Sequence, residues 1–203
     1  MVVYHRPVAS GVMAHAMVAK ASADGHGMLL MSNTFANLIA MGKKTPYDPF
    51  GDLEPVAQLA AVPNVLSVHP SLPVHDVKGL IVLARSKPKQ LIYGSGGVGN
   101  VTHLAMELFS SMAGVEMTHV PYKGGAPSVV GLVSGEVQLL FTSIPGVLAQ
   151  ISAGKVRALG VSISQRSSAL PNVPTIAEAG LPGYYAASWY GLMLPAGVPK
   201  NNI

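Results

Sequence analysis

A glycine-rich loop between an apolar strand and an amphipathic helix is the segment of this sequence best suited to hold a ligand. It contains Gly94, Ser95, Gly96, Gly97, Gly99 and Asn100. Free backbone N–H groups and the positive end of a helix dipole are expected to meet there, and both stabilise a carboxylate or a phosphate. Glycines also let an anion approach the backbone closely. The loop therefore predicts an anion site, with a tight strand-to-helix connection that binds nothing as the alternative.

Gly94, Gly96 and Gly99 also match the dinucleotide-binding pattern GxGxxG, which would indicate a nicotinamide-dependent oxidoreductase. That pattern requires an acidic residue ~20 positions further on, at the C-terminal end of the next strand. Glu116 has this spacing, but it precedes the predicted strand at 117–121 and so stands at the wrong end. Solute binding without chemistry is the first hypothesis, an oxidoreductase using Gly94 to Gly99 is the second, and a remnant that binds nothing is the third.

The other residues capable of chemistry give little support for catalysis. The seven histidines never show the i, i+4 spacing of a zinc-binding helix, and the chain has no cysteine. No serine stands in GxSxG, and no two carboxylates are close together in a loop. Ser95 could bond a ligand or cap the helix, and His103 could face a ligand or make a structural hydrogen bond. We expect no metal, no cofactor and no enzymatic activity.

Charge and composition indicate a small anionic ligand rather than a nucleic acid. The formal charge is +4, from 13 Lys and Arg against 9 Asp and Glu, and aromatic residues make up only 6%. A nucleic-acid surface needs a denser basic stripe interleaved with aromatics. The short basic cluster of Arg85, Lys87 and Lys89 is best explained as a solvated helix end, while a mildly positive field suits an anionic solute.

The elements that would position the loop alternate between short apolar strands and amphipathic helices, which predicts a parallel α/β fold. Strands are predicted at 28–32, 55–60, 65–69, 90–94, 117–121, 137–142 and 157–162. Helices are predicted at 12–22, 76–86, 100–113, 126–134, 144–153 and 175–179. Pro171, Pro174, Pro182 and Pro195 predict loops and short turns in the last part of the chain.

No signal peptide and no membrane span are predicted in this sequence. Residues 1–22 have no cationic stretch followed by an unbroken apolar one. Apolar runs are interrupted by Pro, Gly or His before they reach the ~18 residues that a transmembrane helix needs.

A set of motifs, in order and spacing, resembles one family. The motifs are PYDP at 46–49, YGSGG at 93–97, THL at 102–104, HVPYKGGAP at 119–127, GKVRAL at 154–159, LPNVPTIAEAG at 170–180 and WYGL at 189–192. Together they resemble the Bug-type receptors of tripartite tricarboxylate transporters over nearly all of the 203 residues.

The resemblance implies an α/β protein with the two-lobed periplasmic-binding-protein fold of the Venus-flytrap type. The first lobe would take 1–92 and 188–203, and the second would take 93–187. A periplasmic receptor of this kind holds a small organic acid with backbone amides from two glycine-bearing loops and delivers it to the membrane subunits of its transporter.

The resemblance also implies which residues contact the ligand. The second glycine loop corresponds to Ser95, Gly96, Gly97, Val98, Gly99, Asn100, Val101 and Thr102. Further cleft-facing positions correspond to Ser32, Asn33, Thr34, Tyr122, Lys123, Thr142 and Trp189. Family members often carry an acid where Thr142 stands, in position to meet a ligand ammonium, so a carboxylate or amide ligand is expected rather than an amino acid.

Two departures from the family pattern concern the ends of the sequence. The family begins with a signal, a first strand and a Pro-Gly-Gly loop that supplies the other half of the carboxylate clamp, and this sequence starts after them. It also stops before the helices that close the first lobe. The first lobe is therefore expected to be incomplete.

Overall fold

The computed structural model describes residues 2–4 and 11–202, and they form two compact units. The first unit contains the described residues through Ala61 and those from Trp189 onward, and the second contains Val62–Ser188. In chain order the helices and strands are α1 (Val12–Ala19), β1 (Leu29–Ser32), α2 (Thr34–Ala40), β2 (Leu53–Val68), α3 (Val77–Ser86), β3 (Ile92–Ser95), α4 (Val101–Ala113), β4 (Thr118–Pro121), α5 (Gly125–Ser134), β5 (Leu139–Ser143), α6 (Ile144–Ser152), β6 (Arg157–Val161) and β7 (Ala187–Pro195), with a short 3₁₀ helix at Lys200–Asn202.

The second unit is a sheet with helices on both faces. Its strands lie in the order β6, β2, β5, β3, β4, with β3 parallel to both β4 and β5, and with β2 antiparallel to β5 and β6. Successive residues of β5 alternate between two cores: Leu139 and Phe141 pack with α3 and α4, whereas Leu140 packs with α5 and α6. A sheet buried on both faces requires apolar residues on both sides of its strands.

The first unit is smaller and has one apolar core. β1 pairs antiparallel with β7, and β7 is also a neighbour of β2. The buried side chains of this core are Ala16, Leu29, Met31, Phe35, Tyr47, Leu53 and Met193. In the part of the chain that the structure describes, no helix has the length and apolar character needed to cross a membrane.

The boundary between the units differs from the boundary expected near residue 92. Residues 62–92 belong to the second unit. The reason is that the end of β2 pairs with β5 and β6, and the apolar face of α3, through Val77, Leu80 and Ala84, is buried in the same core as Tyr93 and Phe141. Residues 62–92 therefore bury their apolar side chains with the residues that follow them.

The α/β alternation is confirmed in the second unit, with strand and helix ends within a few residues of those predicted, but the sheet is mixed because β2 runs antiparallel to β5 and β6. The two strands predicted at 55–60 and 65–69 are one strand, β2. A break was expected around Pro63, but Pro63 precedes the first pair of the β5 ladder, Asn64 with Ser143, so its missing N–H costs that ladder no hydrogen bond.

Three other predicted elements need correction. The sequence signals did not predict α2 or β7, and the loop expected around Pro195 is the end of β7, which gains its hydrogen bonds from β1 and β2. The helix predicted at 175–179 is a single turn. It is closed by a capping box in which Thr175 Oγ1 accepts from the Glu178 N–H at 3.0 Å and Glu178 Oε2 accepts from the Thr175 N–H at 2.9 Å.

Candidate functional site

Three parallel strands of the second unit end at the same edge of the sheet, and each is followed along the chain by a helix. Ser95 pairs with Pro121 at the ends of β3 and β4, and β5 runs parallel to β3. The N-termini of α4, α5 and α6 consequently lie along this edge. Helix N-termini carry partial positive charge, and ligands of open α/β sheets bind at the carboxyl ends of strands. The edge therefore has the electrostatic character that an anion requires.

The glycine loop predicted from the sequence connects β3 to α4 at this edge. Asn100 is the N-cap of α4, because its Oδ1 accepts a hydrogen bond from the Thr102 N–H at 3.0 Å. Gly97 has a φ of 124°, a conformation that side chains resist. Gly96 and Gly97 are half-buried and Val98 is exposed, so the loop is reached from solvent.

The loop N–H groups that were expected to be free are hydrogen-bonded inside the loop. Gly96 N–H donates to Thr102 Oγ1 at 3.0 Å, and Gly97 N–H donates to Ser95 Oγ at 3.1 Å. Gly99 N–H donates to His103 Nδ1 at 3.3 Å. The expectation was wrong because polar side chains within reach satisfy these donors. A carboxylate that binds here must displace a side-chain acceptor.

A cluster of polar and aromatic side chains packs beside the loop and holds it through hydrogen bonds. The rings of His103 and His119 stack with centroids 4.1 Å apart, and His119 stacks on Tyr93 at 4.8 Å. The Tyr93 hydroxyl donates to Glu107 Oε1, and His103 Nε2 lies 3.9 Å from the same oxygen. Two members of the cluster bond to the loop itself: His103 accepts from Gly99, and His119 Nε2 lies 2.6 Å from Ser95 Oγ.

Burial sets the charge state of the cluster. Burial and then the neighbouring His103 lower the pKa of His119 to about 4, against the opposing effect of the Glu107 carboxylate. Burial also lowers the pKa of His103, against the opposing effect of the Glu107 carboxylate. Burial, together with the hydrogen bond to Glu107, raises the pKa of Tyr93. Both imidazoles are therefore neutral at neutral pH, and the structural hydrogen bond considered for His103 is confirmed.

Ser95 and His119 have the separation of a nucleophile and its general base, but their surroundings do not suit catalysis. Ser95 is fully buried at the end of β3. Its hydroxyl is engaged by His119, by the Gly97 N–H and by the Gly97 carbonyl, to which it lies at 3.2 Å. A buried hydroxyl cannot reach the carbonyl carbon of a substrate, so the pair fixes the loop to the sheet.

The remaining predicted residues of the second unit lie at or near the same edge. The Tyr122 N–H donates to the Ser95 carbonyl at 2.9 Å, and a side chain at Gly131 of α5 would collide with the Tyr122 hydroxyl. Partial burial, followed by the Glu136 carboxylate, raises the pKa of Tyr122 to about 12. Lys123 is exposed between β4 and α5, and Thr142 is buried near the end of β5.

The predicted residues of the first unit are brought together with one another. Ser32 ends β1, and its Oγ accepts from the Thr34 N–H at 3.4 Å. The Asn33 N–H donates to the Trp189 carbonyl on β7 at 3.2 Å. The half-buried Trp189 therefore lies beside the β1–α2 turn.

Glu116, the acid with the spacing of a dinucleotide site, does not lie at the loop's edge of the sheet. Glu116 precedes β4 and forms an exposed ion pair with Lys89 at 3.2 Å, at the opposite end of β3 and β4 from Ser95. Within residues 2–4 and 11–202, no group of three His, Cys, Asp or Glu side chains is placed to hold a metal ion.

Sequence reasoning missed the supporting cluster. Tyr93 and His119 lie in motifs that resemble the family, but neither they nor Glu107 were predicted as site residues. The contact depends on the parallel register that places Tyr93 beside His119 across β3 and β4. Thr102-His103-Leu104-Ala105-Met106-Glu107 carries a usable signal, since His103 and Glu107 are four residues apart on a predicted helix.

This arrangement, a sheet covered on both faces by helices with a glycine loop and three helix N-termini at one edge, has the fold of solved periplasmic binding proteins such as BugD. Residues 1–203 match the family described as tripartite tricarboxylate transporter family receptor. The chain belongs to this family.

Relatives of known sequence and structure agree with this assignment. A curated relative from Pseudomonas sp. strain P51, the UPF0065 protein in the tcbD-tcbE intergenic region, is 39% identical and covers 99% of this chain and 60% of its own length. An R. palustris protein solved with adipate is 42% identical, with a TM-score of 0.90 over 95% of this chain and 65% of its own. MatC from Rhodopseudomonas palustris, solved with bound malate, is 32% identical, with a TM-score of 0.88 over 96% of this chain and 66% of its own. The chain thus spans about 60% of the length of that curated relative.

Proposed function

We propose that this chain is a non-catalytic receptor that binds a small organic carboxylate and presents it to the membrane subunits of a tripartite transporter in the periplasm. The observation that carries the proposal is the glycine loop between β3 and α4, at the sheet edge where α4, α5 and α6 begin. Backbone N–H groups and helix dipoles at such an edge favour a carboxylate over a neutral or cationic ligand.

The ligand class proposed is a dicarboxylate of modest length. Adipate and malate, named with two solved relatives, each carry two carboxylate groups. In the second unit we assign the contacts to the loop Gly96 to Thr102, with Tyr122, Lys123 and Thr142 nearby, whereas the buried Ser95 supports the loop from within the sheet. The buried Thr142 supplies no carboxylate to pair with an ammonium group, which favours an organic acid over an amino acid.

Ser32, Asn33, Thr34 and Trp189 are proposed as the ligand-contacting residues of the first unit. Trp189 is the only tryptophan in the chain, so its fluorescence reports on this region alone. Adding adipate or malate should change the emission of Trp189. An unchanged spectrum at saturating ligand would remove these four residues from the site.

Calorimetry against adipate, malate, propane-1,2,3-tricarboxylate and NADH tests the proposed function. We expect heat of binding with at least one of the acids, no heat with NADH, and an unaltered acid recovered after incubation. NADH binding with turnover would reverse the assignment in favour of an oxidoreductase. No heat of binding with any of the four compounds would instead indicate a receptor remnant that binds nothing.

A further inference from the structure

His103 occupies one of the loop's backbone donors in a way that depends on its protonation. The Gly99 N–H donates to His103 Nδ1 at 3.3 Å, so Nδ1 is an acceptor and carries no proton. The ring proton then resides on Nε2, on the side of Glu107, whose Oε1 is 3.9 Å away. A proton on Nδ1 would turn this acceptor into a donor. The Gly99 N–H and the His103 Nδ1–H would then be two donors facing each other, and both would need an acceptor between them.

The groups facing His103 come from three elements. On α4 itself is Glu107, and β4 contributes the ring of His119, stacked at 4.1 Å. On β3, the ring of Tyr93 lies 6.3 Å from His103, and its hydroxyl is committed to Glu107. These are the titratable side chains for which the described part of the chain shows a contact with His103. The Glu107 carboxylate and the neutral His119 imidazole thus determine how stable a positive charge on His103 is.

We propose that His103 is a proton-linked positioning residue, which takes up one proton at Nδ1 when a carboxylate binds the Gly99 N–H. The inference rests on the proposed function. The carboxylate displaces Nδ1 from the Gly99 N–H and stays ionised. The proton comes from solvent, and the new Nδ1–H donates to the bound carboxylate, while the positive ring is held by Glu107. The charge-assisted hydrogen bond replaces the neutral one that is lost.

His103, not His119, takes the proton because of where the two rings lie. His103 has Glu107 within 3.9 Å, and its Nδ1 faces the loop. The Nε2 atom of His119 is held by Ser95 Oγ at 2.6 Å, and burial lowers its pKa to about 4. Two positive rings 4.1 Å apart would repel each other, so the stacked pair takes at most one proton.

The sign of the pH dependence follows from this coupling. The pKa of His103 in the protein without ligand is lowered below its ordinary 6.5, and a bound carboxylate raises it. Affinity should therefore rise as the pH falls through the ligand-bound pKa, and level off below the ligand-free pKa. The gain is at most about tenfold per pH unit between the two.

The test is calorimetry with adipate at about pH 7, where both adipate carboxylates are ionised, in buffers of different protonation enthalpy. We expect the observed heat to change with the buffer, giving an uptake of up to one proton per adipate. His103→Asn keeps an acceptor near the Gly99 N–H but cannot take the proton, so adipate should still bind with no buffer dependence. His75→Gln, which changes an exposed histidine outside the loop, should keep the uptake of the parent protein.

A second measurement does not depend on any variant folding. The NMR shift of the His103 ring Cε1–H, titrated with and without adipate, should give a higher pKa in the bound protein. Binding with buffer-independent heat, or proton uptake that persists in His103→Asn, would overturn the inference while leaving the proposed function standing. No binding of any acid in the panel would overturn both.

Discussion

The Ser95 hydroxyl oxygen lies 2.6 Å from His119 Nε2 and ties the end of β3 to its neighbour β4 directly beneath the glycine loop. The same oxygen accepts the Gly97 N–H at 3.1 Å, so one buried atom connects two strands and the loop. Ser95 supports the loop because it is buried at the end of β3 and its hydroxyl contacts both His119 and the Gly97 N–H.

Replacing Ser95 with Ala should lower the free energy of unfolding by about 1–3 kcal/mol, because it leaves His119 and the Gly97 N–H without a partner in a buried place. Urea unfolding followed by circular dichroism measures the loss. Ser86→Ala is the matched control, since the Ser86 hydroxyl bonds the Leu83 carbonyl on an exposed helix end and should change stability by less than about 0.5 kcal/mol. Equal effects of the two changes would contradict the supporting role of Ser95.

Within the basic cluster of Arg85, Lys87 and Lys89, it is Arg85 that stabilises a helix end. Arg85 Nε and Nη2 donate to the Ala113 carbonyl, the last of α4, at 3.2 and 2.7 Å. Arg85→Met should cost about 1 kcal/mol of stability in urea unfolding, because that carbonyl loses both donors. Lys87→Met, at an exposed neighbour, should cost nothing measurable. Adipate affinity should survive both changes, and a large loss with either would assign the cluster to the ligand site.

Local sequence signals were sufficient for the features of the site that lie within one stretch of chain. The loop at 94–99 and the following helix are encoded by adjacent residues, whereas the cap proved to be Asn100 and not Ser95, the residue considered for that role. The alternation of strand and helix in the second unit follows from hydrophobic periodicity in the same local way.

Features that depend on pairing between distant segments could not be predicted from the sequence. β7 exists because β1 and β2 supply its hydrogen bonds, and its own residues around Pro195 suggest a loop. The contact of Tyr93 with His119 requires the register of two strands, and the occupied N–H groups of the loop require side-chain positions. A single sequence specifies such contacts only through the whole fold.

The buried His15 should make the stability of the first unit sensitive to acid. Its Nδ1 lies 3.0 Å from the Tyr47 hydroxyl, and burial lowers its pKa from 6.5 to about 4. As the pH falls, His15 is therefore protonated in the unfolded chain at a higher pH than in the folded protein. Stability is complete above about pH 6.5 and falls as the pH drops towards 4, with a total loss of about 2–3 kcal/mol from this residue.

Urea unfolding at several pH values, followed by the fluorescence of Trp189 in the same unit, measures this dependence. His15→Asn keeps a polar partner for Tyr47 but cannot titrate, so its unfolding free energy should vary less between pH 6.5 and 4 than that of the parent protein. The exposed His26, changed to Asn, should leave the pH dependence as it was. A steep acid loss that persists in His15→Asn would assign it to other groups.

Gly97→Val should abolish carboxylate binding, because a β-branched side chain resists the φ of 124° at Gly97 and would occupy space next to the loop N–H groups. The change is expected to weaken adipate binding at least tenfold in calorimetry, and the backbone strain is expected to cost about 1–3 kcal/mol of stability. Gly154→Val separates these effects: Gly154 has a φ of 67° in the turn after α6, with nothing within 4 Å of an added Cβ, so it imposes comparable strain away from the loop. That variant should lose stability and keep its adipate affinity. If both variants lose stability alike and both still bind adipate as tightly as the parent chain, the carboxylate is held elsewhere and the glycine loop is only a connection between strand and helix.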